Sequence, residues 1–133
     1  MLEKILLAED EPHIAKLVQF KLQKEGYEVL YAKDGKEAYE ITKKEHPDLV
    51  LLDVMMPVLD GFQVLKMIKS DPELKDTLVA MLSAKSQRKE ILDGLRAGVC
   101  EYITKPFVPA ELVARIKEIL ARNKSRSCMR QEN

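Results

Sequence analysis

The chain is poor in the residues that staple or ligate. It has two cysteines, Cys100 and Cys128, in 133 residues. Two thiols make no disulfide framework, and both read as reduced side chains of a reducing compartment. Its two histidines, His13 and His46, are too few and too far apart for a zinc set and read as surface residues. Charge of one sign is not in excess, with Lys+Arg 22 against Asp+Glu 22. That balance gives no case for direct nucleic-acid or membrane-surface binding. No apolar run approaches the length of a membrane span. The first apolar run is too short, and too soon followed by acids, for a signal peptide. The cytoplasm is therefore the expected location. There is no GxGxxG or GxxxxGK[ST] loop for a dinucleotide or a P-loop nucleotide, no GxSxG serine elbow, no internal repeat and no low-complexity segment.

What is present is an alternation. Apolar residues make up 46% of the chain, an ordinary share for a globular protein, and the length suits one domain. Strand patterns fall at about 4–8, 27–32, 49–52, 78–82 and 100–104. Helix patterns fall at about 12–25, 35–45, 61–70, 87–96 and 109–122. Pro12 and Pro109 suit first helical turns. The first stripe is Ile14, Leu17, Val18 and Leu22, and the last is Leu112, Val113, Ile116, Ile119 and Leu120. Gly26 sits where a left-handed helix end is expected. Asp34 with Glu37, and Asp60 with Gln63, read as capping boxes. Segments 4–8, 49–52 and 78–82 are nearly continuous apolar runs, as strands buried on both faces require. Segments 27–32 and 100–104 are more mixed and belong at the edges. The expected fold class is α/β: a five-stranded parallel sheet, order 2-1-3-4-5, flavodoxin-like (βα)5 with helices on both faces. Residues 1–122 are expected to form the domain. Residues 123–133 read as a flexible tail or the start of a linker.

The polar residues gather at strand ends. Ile5-Leu6-Leu7-Ala8 runs into Glu9-Asp10-Glu11, and Leu49-Val50-Leu51-Leu52 runs into Asp53. In the expected order these two strands flank the switch point, where ligands bind in open α/β sheets. Crowded acids raise one another's pKa unless a cation joins them. Mg²⁺ prefers one or two carboxylates together with phosphate and waters. Asp10 and Asp53 can supply the carboxylates, with Glu9 acting through water. A carboxylate can also attack phosphorus to form an aspartyl phosphate. Lys105, before Pro106 at another strand tip, can neutralise phosphoryl oxygens. A cis Lys105-Pro106 bond is expected to aim it inward. Ser83 ends the fourth apolar run and offers a hydroxyl near the same pocket. On their own, the Glu9-Asp10-Glu11 cluster also fits a solvated helix start, Ser83 a loop serine, Lys105 a turn lysine and Tyr102 edge packing.

Taken as a set, these segments resemble the receiver domain of bacterial two-component response regulators. The resemblance covers about residues 3–122. It rests on Ile5 to Pro12, Asp48 to Pro57, Asp60-Gly61, Ser83-Ala84 and Glu101-Tyr102-Ile103-Thr104-Lys105-Pro106-Phe107. It implies that Asp53 is the phosphoacceptor and that Asp10, Asp53 and the main-chain carbonyl of Met55 hold Mg²⁺, with Glu9 behind them. It further implies that Lys105 contacts the phosphoryl group and that Ser83 and Tyr102 form a coupled switch. Partners implied are a sensor histidine kinase or phosphotransfer protein, and a downstream protein or an output domain absent from this chain. Such a domain is a signalling switch rather than an enzyme, although it promotes its own phosphorylation and dephosphorylation.

The chain departs from the family pattern in three places. Glu9 stands where aspartate is usual, and Val99-Cys100 where Ala-Asp is frequent. Ile91 and Arg96 stand where dimerising members carry a basic and an acidic residue. A monomer or weak dimer is therefore expected, with Arg115 and Lys117 open to an acidic partner. Two other readings stay open at this point. One is a receiver-like scaffold that never uses phosphorylation, and the other is a flavodoxin-like carrier of a small ligand.

Overall fold

Short, nearly continuous apolar runs alternate with helical stripes of period 3.6, and this decides the architecture. The computed structural model describes residues 3–84, 92–93, 96–105 and 107–132, with side chains as far as Arg122. The strands are β1 (Lys4–Ala8), β2 (Glu28–Ala32), β3 (Leu49–Asp53), β4 (Leu78–Ser83) and β5 (Glu101–Thr104). The helices are α1 (Pro12–Lys24), α2 (Gly35–Glu45), α3 (Gly61–Ser70) and α4 (Pro109–Glu132). All strand pairs are parallel and the order is β2-β1-β3-β4-β5. The fold is the expected flavodoxin-like α/β sheet.

Alternation along the three inner strands sorts the core into two halves. Leu6, Ala8, Val50, Leu52, Val79 and Met81 face α2 and α3, meeting Ala38, Val64, Leu65 and Ile68. Ile5, Leu7, Leu49, Leu51, Ala80 and Leu82 face α1 and α4, meeting Ala15, Val18, Leu22, Leu112 and Ile116. A fully buried side chain of this size contributes about 1.5–3 kcal/mol. The inner strands are therefore the rigid part, and their tips are firm mounting points. β2 and β5 are less buried, as edge strands should be.

The helix ends follow the local chemistry. Asp34 accepts from the Glu37 N–H at 2.8 Å. Asp60 and Gln63 complete a reciprocal capping box at 2.9 Å in each direction. At α2 only the Asp34 half of such a box is present. Gly26 has φ 96°, the left-handed conformation that ends α1.

Three expectations need adjusting. Leu17 is 45% exposed, because α1 turns the line Ala15, Val18 and Leu22 onto the sheet and leaves Ile14 and Leu17 towards its rim. The α4 backbone stays helical through Glu132 rather than stopping near 122, and no glycine or proline interrupts residues 123–132. Of the expected helix at 87–96, only Leu92, Asp93 and Arg96 are described, and these are helical. Ile91 and Pro106, and with Pro106 the expected cis bond, lie outside the described residues.

Candidate functional site

Parallel pairing brings the carboxyl ends of the strands to one edge of the sheet. Ala8 lies beside Leu52, Asp53 beside Leu82, and Ser83 beside Thr104. The residue after each tip is thus delivered to the same rim. Glu9 and Asp10 come from β1, Asp53 from β3, Ser83 from β4 and Lys105 from the end of β5. Backbone bonds fix the frame: the Lys105 N–H donates to the Ser83 carbonyl at 2.7 Å and the Val54 N–H to the Leu82 carbonyl at 2.9 Å.

The acids sit close together. One carboxylate oxygen from each of Glu9, Asp10 and Asp53 lies within 4.8 Å of the others. Glu9 is fully buried and Asp53 nearly so, whereas Asp10 is exposed. The Lys105 ammonium bridges the buried pair, donating to Glu9 Oε1 at 2.8 Å and Asp53 Oδ2 at 3.0 Å. The other Asp53 oxygen, Oδ1, accepts from the Met55 N–H at 3.2 Å. The Glu9 Oε2 accepts from the Glu11 N–H at 3.4 Å.

The electrostatics follow from this crowding. Burial first, and then the Asp53 carboxyl, push the Glu9 carboxyl up to about 7, although Lys105 opposes them. Burial pulls the Lys105 ammonium down, but its two acidic partners outweigh that and its pKa ends raised. Three carboxylates against one ammonium leave an excess of negative charge among oxygen donors only. That donor set fits a hard divalent cation such as Mg²⁺. A cation would also relieve the mutual repulsion that raises Glu9.

Asp10, Asp53, Glu9 and Lys105 are therefore brought together as expected. Ser83, fully buried, ends β4 at the same rim. Tyr102 lies farther off. It is 8% exposed and belongs to the core half that includes Met81 and Val99, so its ring is already turned inward. Arg115 and Lys117 are half exposed, and each already pairs with an acid of this chain, Arg115 with Glu101 at 3.1 Å and Lys117 with Glu25 at 2.7 Å.

One contributor, Tyr31, was not singled out from the sequence. The Tyr31 hydroxyl donates to the Glu9 main-chain carbonyl at 2.7 Å, holding the turn that presents Glu9 and Asp10. Burial, then Glu9 and Asp10, raise the Tyr31 phenol. An aromatic one residue from the end of the strand that neighbours β1 is the signal that could have found it. Gly61 approaches the β3 end so closely that a Cβ there would lie 2.7 Å from the Asp53 carbonyl oxygen. An apolar pocket of about 400 Å³ opens beside Lys105, lined by Ile14, Leu17, Ala84, Phe107 and Pro109.

The chain is 44% identical over 120 residues to a probable transcriptional regulator ycf27 of Porphyridium aerugineum, covering 90% of this chain and 49% of that protein. It is 43% identical over 123 residues to the alkaline phosphatase synthesis transcriptional regulatory protein PhoP of Bacillus subtilis (strain 168), covering 92% of this chain and 50% of that one. The chain thus spans about half the length of these curated relatives. The receiver domain of the Francisella response regulator 1452 superposes with a TM-score of 0.85 at 34% identity, covering 91% of this chain and 98% of that one. A family model described as the response regulator receiver domain matches residues 5–117. Such a match starts in β1 and ends inside α4, so it takes in the whole sheet and every residue of the acidic rim, and the chain belongs to the family of response regulator receiver domains.

Proposed function

We propose that this domain is a phosphorylation switch in which Asp53 accepts a phosphoryl group from a histidine kinase or phosphotransfer protein. One observation carries the reading: the Lys105 ammonium bridges Glu9 and Asp53 at the carboxyl edge of the sheet, beside Asp10. An Asp53 carboxylate oxygen attacks phosphorus in line, the phosphorus–nitrogen bond of the phosphohistidine breaks, and its electron pair returns to the imidazole, which takes up a proton. Lys105 is held where its charge meets the incoming phosphoryl oxygens, and neutralising that charge lowers the barrier.

Asp10, Asp53 and the Met55 main-chain carbonyl would hold Mg²⁺, with Glu9 behind them. When bound, the ion neutralises the phosphoryl group and orients it. The apolar pocket beside Lys105 supports docking of a protein donor over the acidic rim. Ser83 and Tyr102 would relay the change to the surface built from β5, α4 and the residues before β5. That surface would meet a downstream protein or an attached output domain. Arg115 and Lys117 already have partners, so an acidic partner would have to displace Glu101 or Glu25. Those pairs are exposed and each is worth only about 0–1 kcal/mol.

The test is intact mass measurement after treatment with a small phosphodonor and Mg²⁺. The parent chain should gain one phosphoryl group, Asp53→Asn none, and Asp10→Ala should gain it slowly. Equal incorporation into Asp53→Asn would remove Asp53 from the role. No incorporation into the parent would favour a receiver-like scaffold that works without phosphorylation.

A further inference from the structure

We propose that Lys69, folded back from the end of α3 onto the main chain of the following loop, is an acyl-acceptor site for small acyl phosphates. Among the described residues, the other lysines with hydrogen-bonded ammonium groups all touch carboxylates. Lys4 meets Glu45 at 3.4 Å, Lys43 meets Asp71 at 2.9 Å, Lys105 meets Glu9 at 2.8 Å and Lys117 meets Glu25 at 2.7 Å. Lys69 instead donates to two main-chain carbonyls, that of Lys75 at 3.1 Å and that of Thr77 at 2.8 Å. Its stem is covered by Gly98, where a Cβ would lie 3.3 Å from the Lys69 Cε.

These partners let the amine exist without its charge. A carboxylate partner would lose its counter-charge if the lysine were neutral. A neutral amine still has two N–H groups, one for each carbonyl. Burial pulls the Lys69 ammonium down, and the ionisable groups near it, Cys100 and Asp76, oppose this only in part. A desolvated lysine amine is an activated nucleophile. Its nitrogen attacks the carbonyl carbon of the acyl phosphate. The carbon–oxygen bond to the phosphate breaks, phosphate leaves with the electron pair, and the extra proton on nitrogen passes to water. The amide formed keeps one N–H. The Thr77 bond is the shorter and lies deeper, whereas the Lys75 bond is exposed, so the acyl group takes the Lys75 side. Folded back in this way, the side chain suits a small reagent that reaches it in place. Acylation removes the charge and one of two ties on the loop that enters β4.

The experiment treats the whole chain with acetyl phosphate, divalent cations being chelated, and follows acetylation at each lysine by peptide mass spectrometry. Lys16 and Lys66, both exposed, serve as comparators. At neutral pH Lys69 should react about two-fold faster than either or more, since each unit of lowered pKa gives about ten-fold more free amine and the weaker base returns part of the gain. The lead should shrink as the pH rises towards the ordinary lysine value of 10.5, and it should vanish in the urea-unfolded chain. A Lys69 rate within about two-fold of the comparators, or below them, would overturn the proposal, because a lowered pKa would then confer no reactivity. A lead that persists in urea would assign it to neighbouring sequence rather than to the fold and overturn it too. Neither result bears on Asp53 as phosphoacceptor.

Discussion

Lys105 Nζ lies 2.8 Å from Glu9 Oε1, although 96 residues separate them in the chain. The same ammonium reaches Asp53, so one cation serves two buried acids from two strands. Removing it should therefore cost more than removing a surface charge. Lys105→Met is expected to destabilise the domain by about 3 kcal/mol in the absence of divalent cations, as when one partner of a buried pair is lost. Urea denaturation measures this, and added Mg²⁺ should restore part of the loss. A change no larger than that of an exposed lysine would contradict it.

The Glu9 carboxyl makes stability depend on pH. Its pKa in the fold is about 7, against an ordinary 4.5. A group raised in this way favours the fold when protonated. Its contribution is fully present below about 4.5 and is lost as the pH rises through 7. Without divalent cations, stability should fall across that interval by at most about 3 kcal/mol. Glu9→Gln should flatten the slope in a series of denaturation curves. A slope unchanged by the substitution would place the titrating group elsewhere.

Tyr31 holds the Glu9 carbonyl from the neighbouring strand. Tyr31→Phe keeps the ring and deletes one hydrogen bond, so a loss of about 1 kcal/mol is expected. Chemical denaturation measures the loss, and the Mg²⁺ affinity of the variant should fall with it. An unchanged variant would mean that water replaces the hydroxyl at no cost.

The cap of α3 sits at the exit of the loop that leaves Asp53. Asp60→Ala removes the bond from the Gln63 N–H and should cost about 1 kcal/mol, the usual value of an N-cap. Asp34→Ala, which removes the equivalent bond at α2, should cost about the same. Only Asp60→Ala is expected to slow phosphorylation of Asp53. Equal slowing in both variants would point to stability rather than loop position as the cause.

The sheet was legible in the sequence because its signals are local. Three nearly unbroken apolar runs, with mixed runs at 27–32 and 100–104, were enough to order the strands. Asp10, Asp53 and Lys105 were legible because each follows an apolar run, and a parallel sheet must carry such residues to one rim. Leu17 was misplaced because a helical stripe defines a face only to within about one position. Which of two adjacent lines turns inward depends on how α1 sits on the sheet.

The chain itself determined the alternation of elements, the strand order and the gathering of acids and a lysine at one edge. Only the tertiary structure decided how those groups are paired. Glu9 lies fully buried and pairs with Lys105 at 2.8 Å, a contact between residues 96 apart that no local pattern announces. The partners of Arg115 and Lys117 come from β5 and the end of α1, and no local rule selects them. Periodicity is a property of neighbours in sequence, whereas distances between strand tips and loop ends exist only once the sheet has formed.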